Sequence, residues 1–431
     1  MVRAGGLAAA ALAAVFLMGA ALGPSATTTK LPSGVTSIVR PLSGSPVAAI
    51  ELWFRAPSIG FDSAPKPGLA NLAALTVAAS EPLTGTPLAT LVAEVGGRFS
   101  VNVYPETIEV AALVPATEAS RVLRTMTGVY FTPVLSDDGH AKALAEVRTD
   151  TRLRDITQPS ETLREALFSA LFKSGPDHYS PVDSSGLTSL TLDDLRTFAT
   201  RAFRASNATV VLTGDVDQRL ADDAVIGRSD TTAPEPPENF SSIVSQTPQS
   251  VTRTGPVPGF GFAWSGPSIK DERAATALDF IADYLFDPDS GVVSRQLDDV
   301  DASIDAQYVT YYDPGVFYVE ATGSQATVAR ARIEAALAMM RKPLDRQTFE
   351  AARRLFEYHV MSDVATPLSL ADNFGWYALE GNAPYAPGAD LEGGRYVASI
   401  RALTPEIVAQ TVTKYLTSSP PATAELEVRA K

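Results

Sequence analysis

The sequence contains no cysteine, and this absence excludes several kinds of structure and chemistry. The chain can form no disulfide bond, no thiolate metal site and no lipid-modified cysteine, and it has no thiol nucleophile. Histidine is also scarce: His140, His178 and His359 lie far apart and show no HxxxH or HxxE spacing. A GxSxG nucleophile elbow and a phosphate-binding loop are missing as well. These absences remove the common catalytic motifs.

Basic residues are fewer than acidic residues in this chain. The chain has 35 basic against 49 acidic residues, which gives a formal net charge of -14. Such a surface repels phosphate backbones and anionic lipid headgroups, so we expect no nucleic-acid partner. With 431 residues, 45% of them hydrophobic, the chain is long enough to bury a large core and to form two or more domains.

A long apolar stretch without charge runs from Ala4 to Leu22, and no later segment has a comparable apolar run. It follows Arg3 and precedes the small, polar "GPSATTT", which is typical of an export signal. Its length also suits an uncleaved membrane anchor. We therefore predict that residues 1–26 are a signal peptide or an N-terminal anchor. Both interpretations place the folded part in the periplasm or outside the cell, in contact with the membrane only through this segment.

Three pairs of segments recur in the same order, separated by 213, 206 and 208 residues. The pairs are "SLTLDDLRTF" (189–198) with "ALTPEIVAQT" (402–411), "HYSP" (178–181) with "PYAP" (384–387), and "ITQPSETL" around Pro159 with "VATPLSLA" around Pro367. Their nearly constant spacing indicates a duplication. In the first pair, Thr191 and Thr404 are predicted helix N-caps.

The repeat predicts two homologous domains, 27–217 and 259–431, joined by a Pro-, Ser- and Thr-rich linker at 218–258. Strand-like runs such as "VAAIELWFRA" (47–56) and "TIEVAALVP" (107–115) alternate with amphipathic helical patterns. We expect an α+β fold in which each domain has a largely antiparallel sheet with helices packed on one face.

Three further segments carry a family resemblance: "GLANLAAL" from Gly68, "EVGGRFSVNVYPET" from Glu94, and "LTGDVD" from Leu212. In order and spacing they resemble the insulinase/pitrilysin family of zinc metallopeptidases, and more closely its short two-domain branch, which is similar to mitochondrial processing peptidase. The resemblance covers nearly the whole chain after the N-terminal segment. It implies the α+β two-domain fold given above.

The family's zinc motif, H-x-x-E-H, supplies two histidine ligands and the catalytic glutamate. In this chain Asn71, Ala74 and Leu75 stand at those three positions, and Glu146 matches the family's third ligand, a glutamate. A catalytic zinc needs about three protein ligands and an open position for water. One carboxylate does not meet that need, so we predict no metal and no catalytic residue on this chain, and Glu146 is interpreted as an exposed helix carboxylate.

Active members also contribute an arginine and a tyrosine, seven residues apart in the second half, which bind the substrate. Here Tyr308 matches the tyrosine, but Asp301 stands at the arginine position. Arg295, in the preceding helix, is the other candidate for a contact with substrate. The alternative for Tyr308 is a packing role within a strand.

The resemblance implies a non-catalytic, substrate-binding subunit of a heterodimeric metallopeptidase. Its partner would be a homologous subunit that carries the zinc, and its substrate a peptide. Two alternatives stay open: a homodimeric binding or scaffold protein, and a peptidase with an unrecognised metal site.

Overall fold

The computed structural model describes residues 25–55, 66–82, 85–172, 184–237, 244–245, 249–389 and 394–428. The predicted signal or anchor, apart from its last two residues, and the "HYSP" segment with His178 lie outside the described residues. None of the helices in the described part combines the length and apolar character that crossing a bilayer requires.

The first half contains six strands and eight α-helices within the described ranges. In chain order they are β1 (Thr27–Lys30), β2 (Thr36–Pro41), β3 (Val47–Arg55), α1 (Leu69–Ala79), α2 (Leu88–Glu94), β4 (Arg98–Val103), β5 (Thr107–Pro115), α3 (Ala119–Tyr130), α4 (Asp137–Thr157), α5 (Pro159–Leu171), α6 (Ser184–Leu187), α7 (Leu192–Ala202), β6 (Ala208–Gly214) and α8 (Gln218–Ala224).

The second half contains five strands and seven α-helices within the same described ranges. They are β7 (Ser250–Gly255), β8 (Gly259–Ser265), α9 (Glu272–Phe286), α10 (Val292–Gln296), β9 (Ser303–Val309), β10 (Val316–Thr322), α11 (Ala326–Met339), α12 (Arg346–Asp363), α13 (Pro367–Leu379), α14 (Gly394–Arg401), α15 (Pro405–Thr411) and β11 (Ala422–Val428). Thr191 and Thr404 are the N-caps of α7 and α15, as the sequence predicts.

Each half builds one sheet. The strand order is β1-β2-β6-β3-β5-β4 in the first and β7-β11-β8-β10-β9 in the second. Within both sheets one pair is parallel, β2 with β6 and β7 with β11, and the other neighbours are antiparallel. The prediction of a two-domain α+β fold is confirmed. The second sheet follows the same strand order as β2-β6-β3-β5-β4; descent from a duplication stays a prediction.

The first sheet is apolar on both faces. Along β3, Ile50 and Phe54 pack into a core with the helices of the first half, among them α1, α3, α4 and α7. Ala49 and Trp53 point to the opposite face and belong to the core of the second half. There they pack against α13, which lies across β3 and β6.

One face of the second sheet is covered by a helix of the first half. Helix α5 of the first half packs on β7, β8 and β11. Its apolar side chains, including Leu163 and Leu167, form a cluster with Ala263 and Tyr318 of the second sheet. The two halves therefore exchange one helix each, and each sheet has helices on both faces rather than on one. Both exchanged helices begin with a proline in their first turn, Pro159 and Pro367.

The segment predicted as a linker contributes to both cores. It begins with α8, whose Ala221 and Ala224 are buried in the first half. It also contains β7, which pairs with β11 in the second sheet. The connection between the halves is thus shorter than 218–258, because two short elements lie within a stretch whose composition favours loops.

Gly375 allows α13 to lie directly on Trp53. A Cβ atom at this position would overlap the indole Nε1 of Trp53, which is only 1% exposed. We expect Gly375→Ala to lower the free energy of unfolding by about 1–3 kcal/mol, because the indole or the helix must shift. Urea denaturation monitored by tryptophan fluorescence measures this change.

Gly128→Ala is the matched control. This glycine also lies inside a helix, α3, but a Cβ there would meet only Arg228 Nη2, at 3.8 Å. Alanine is favoured over glycine within a helix by up to about 1 kcal/mol, so the control should be neutral or stabilising. Equal stabilities of the two variants would show that Trp53 does not limit the approach of α13.

Candidate functional site

The positions of the lost zinc motif lie on α1, which is an inner helix. Ala74 is fully buried, and its carbonyl oxygen accepts a hydrogen bond of 2.9 Å from the Tyr130 hydroxyl. Asn71 and Leu75 lie on one face, four residues apart, and are half-buried. Ala74 and Leu75 offer no donor atom to a metal, and the Asn71 amide is a poor zinc ligand.

Glu146 lies exposed on α4, the helix that packs against α1. Partial burial and the nearby Asp150 raise the pKa of its carboxyl group. Among the described residues, the two groups of side chains that could together hold a metal ion include neither Glu146 nor any position of the lost motif.

The predicted substrate-binding residues lie in different surroundings. Tyr308 on β9 is 3% exposed, and its hydroxyl donates a 2.7 Å hydrogen bond to the Pro267 carbonyl oxygen. Arg295 is exposed on α10. Burial raises the pKa of the nearby Tyr284, and the positive charge of Arg295 opposes that rise. The backbone thus already engages the Tyr308 hydroxyl, an arrangement that fits packing; a substrate role for either residue stays a prediction.

A cleft of about 730 Å³ opens between the two halves. Its wall includes the end of one edge strand from each sheet, β4 and β9, and parts of the exchanged helices α5 and α13. Aromatic rings line much of it: Trp53 stacks on Tyr104 with 5.9 Å between centroids, and Trp376 meets Tyr104 edge-on at 5.1 Å. The charged residues of its described lining are four acids and one base: Glu161, Asp279, Asp363, Asp372 and Arg164. The cleft therefore favours cationic or neutral ligands over anionic ones.

Three carboxyl groups meet beside this cleft, and one of them, that of Asp372, lines it. Glu51 on β3, Glu109 on β5 and Asp372 on α13 each offer one oxygen within 4.8 Å of the others. The Trp53 indole donates to Glu51 Oε2 at 2.6 Å, and the Asn102 amide donates to Glu109 Oε2 at 3.0 Å. We call these three residues the carboxyl cluster.

Burial and mutual repulsion make ionisation of the cluster unfavourable. Burial is the largest cause that raises the pKa of Glu51, and the charges of Asp372 and Glu109 add to it. Burial and Asp372 together raise the pKa of Glu109 to about 7, and burial raises the pKa of Asp372. The three groups therefore share protons unless a cation balances their charge.

Sequence reasoning did not identify this cluster. The available signal was a glutamate in the middle of each of two apolar strands, Glu51 in "VAAIELWFRA" and Glu109 in "TIEVAALVP". A charged residue inside a buried strand requires a partner. Asp372 gave no such signal, because it lies in an ordinary amphipathic helix.

A second group of metal-ligand type consists of Asp283, Asp287 and His359. His359 Nδ1 lies 2.6 Å from Asp283 Oδ1, and the Asp287 carboxylate accepts hydrogen bonds from Ser290 at the end of α9. These partners already satisfy the group, so we interpret it as structural.

Glu109 should make stability depend on pH. Its folded-state pKa of about 7 lies above the ordinary 4.5, so between these values the folded chain holds a proton that the unfolded chain releases. Its stabilising contribution is full below pH 4.5 and is lost as the pH rises through 7. We expect Glu109→Gln to reduce the fall in unfolding free energy between pH 5 and pH 8 by on the order of 1–2 kcal/mol.

Urea denaturation at constant ionic strength measures this difference. Glu94→Gln, on the exposed side of α2, is the control and should keep the wild-type pH profile. An identical slope for Glu109→Gln and wild type would mean that Glu109 is ionised in the folded chain.

Comparisons with known proteins agree with this architecture. The sequence of residues 189–356 matches the family described as "Peptidase M16 inactive domain". No curated protein matches the chain in sequence.

Several solved structures share the fold at low sequence identity. A protease from Helicobacter pylori has a TM-score of 0.79 at 16% identity, with 94% of this chain and 100% of that chain covered. An M16-like peptidase from Alicyclobacillus acidocaldarius has a TM-score of 0.75 at 16% identity, covering 94% and 99%. A peptidase M16 inactive domain from Pseudomonas fluorescens has a TM-score of 0.75 at 15% identity, covering 94% and 98%.

The insulinase/pitrilysin resemblance is thereby confirmed, since the M16 peptidases are that family. Over residues 189–356 the chain matches the M16 peptidase family in sequence, and over 94% of its length it shares the fold of M16-like structures.

Proposed function

We propose that this chain is the exported, non-catalytic, substrate-binding subunit of a heterodimeric metallopeptidase. The observation that carries the proposal is the retention of the whole two-domain fold while the three zinc-motif positions offer no suitable ligand. A chain without the motif can take part in proteolysis when it faces a homologue that has it. Zinc would then be bound by the partner alone.

The cleft supports a peptide as the bound substrate. The edge strands β4 and β9 both end at it, and an edge strand carries backbone groups that an extended peptide can pair with. Tyr104 and Trp376 add aromatic surface next to these edges, with the buried Trp53 packed behind them. The acidic lining favours peptides that are neutral or basic.

Export rests on the N-terminal sequence. The run from Ala4 to Leu22 follows one basic residue and holds no charge, as an export signal requires. We therefore place the subunit in the periplasm or outside the cell, and any membrane contact in this segment.

The purified chain alone should neither retain zinc nor cleave unfolded peptides, because among the residues that the structure describes no set of three ligands surrounds position 71. Metal analysis after dialysis and a fluorogenic peptide assay measure both properties. Stoichiometric zinc, together with hydrolysis that Glu146→Gln abolishes, would instead establish a peptidase with its own metal site.

Affinity purification of the chain from its native envelope fraction tests the partnership. We expect a protein of similar size that carries H-x-x-E-H to co-elute, and peptidase activity to rise when the two proteins are mixed. An interface of on the order of 2,000 Å² or more is expected for such a pair. Recovery of a homodimer without that partner would favour a binding or scaffold protein.

A further inference from the structure

We propose that the carboxyl cluster is a binding site for a hard divalent cation of the calcium or magnesium type. Its three ligands come from three elements, β3, β5 and α13, so the site joins the first sheet to a helix of the second half. This inference does not depend on the proposed subunit role, since it concerns the isolated chain.

Glu51 supplies an observation beyond the clustering of acids. Its side chain is fully buried, and only Oε2 has a hydrogen-bond donor, the Trp53 indole. Within the described structure, Oε1 is buried and receives no hydrogen bond from an ordinary N–H or O–H donor, although the Glu51 carboxyl can share a proton with that of Asp372. A carboxylate oxygen in this position carries a large desolvation cost unless a cation or a donor faces it. Moreover, no described basic side chain forms an ion pair with any of the three acids.

The second sheet shows how the chain balances a buried acid at a comparable place. On α5, Arg164 lies five residues after Pro159, and on α13, Asp372 lies five residues after Pro367. Arg164 Nη2 donates at 2.8 Å both to the buried Glu320 on β10 and to Asp305 on β9.

The helix that covers the first sheet, α13, therefore has an acid at the position where the helix that covers the second sheet, α5, has a base. Glu320 also keeps one oxygen without a partner, but the guanidinium balances its charge. The carboxyl cluster has three acids and no such cation. An ion from solution would supply the charge that Arg164 supplies at the second sheet.

The type of ligand atoms and the depth of the cluster beside the cleft indicate which kind of cation can bind. Carboxylate oxygens without histidine or cysteine suit calcium, magnesium or manganese rather than zinc. Asp372 lines the cleft, whereas Glu51 and Glu109 do not. A small ion that keeps some of its water can reach this depth, whereas a bulky guanidinium would meet chiefly Asp372.

Metal binding should release protons. Without a metal the raised pKa values keep part of the cluster protonated at neutral pH, and a divalent ion displaces those protons. The other side chains that face the acids, Trp53, Asn102 and Tyr104, are uncharged at neutral pH.

Calorimetry on the purified full chain tests the proposal. After EDTA treatment and dialysis, CaCl₂, MgCl₂ or MnCl₂ is titrated at pH 7 in two buffers of different ionisation enthalpy. We expect one ion per chain and a rise in Tm that EDTA reverses. We also expect the measured binding enthalpy to differ between the two buffers, because the buffer takes up the protons that the cluster releases. Absence of both heat and a Tm shift at millimolar concentrations of all three ions would overturn the proposal.

Two substitutions at position 372 locate the site. Asp372→Asn should weaken binding by about tenfold or more, because it removes one of three charged ligands. Asp372→Arg should abolish binding and raise the Tm of the metal-free chain, because the new guanidinium can pair with Glu51 and Glu109 as Arg164 pairs with Glu320. If Asp372→Asn binds the ion as tightly as wild type does, the site lies elsewhere.

Asp363→Asn is the matched control. Asp363 also lines the cleft, on α12, but is not part of the cluster, so its loss should leave the affinity unchanged.

A short arginine peptide and its citrulline analogue test whether the cluster binds a basic side chain instead of a metal ion. If only the arginine peptide raises the Tm and the metals do not, the cluster recognises a basic side chain, and the metal proposal is wrong.

Discussion

Each sheet of this protein has two apolar faces, and the helices of its own half cover only one. The exchange of α5 and α13 covers the others. Polar contacts hold α13 at both ends: the Thr213 hydroxyl donates to the Pro367 carbonyl oxygen, and the Arg55 guanidinium donates to the Leu379 carbonyl oxygen, at 3.0 Å from Nη2. The position of the halves, and with it the cleft and the carboxyl cluster, follows from this exchange.

Local pattern was sufficient to predict many elements. The run 107–115 is a strand over the predicted residues, because its apolar β-branched content is unambiguous and turn residues flank it. The destination of α13 was not predictable, since an apolar stripe on a helix does not specify which sheet it covers. For the same reason the sequence could not show that Trp53 packs against Gly375 and Trp376 of α13, more than 300 residues away.

In the candidate site, too, some features were predictable from the sequence and others depend on contacts between distant segments. The motif comparison identified positions 71, 74 and 75, and the structure adds that Ala74 has become part of the core beneath Tyr130. Tyr308 matched a family position, yet its hydroxyl is bonded to the backbone. The carboxyl cluster depends on a helix from the other half, so the two strand glutamates alone could not indicate their shared neighbour.

The distance along the chain between β3 and α13 has a kinetic consequence. The bond from Arg55 to Leu379 joins residues 324 apart in sequence. During synthesis the first sheet exposes the face that carries Trp53 until most of the second half has left the ribosome. Contacts so distant in sequence are slow to form, and exposed apolar faces attract other chains. A nascent first half therefore keeps an apolar face uncovered, and its native core is completed only after the chain is almost fully made.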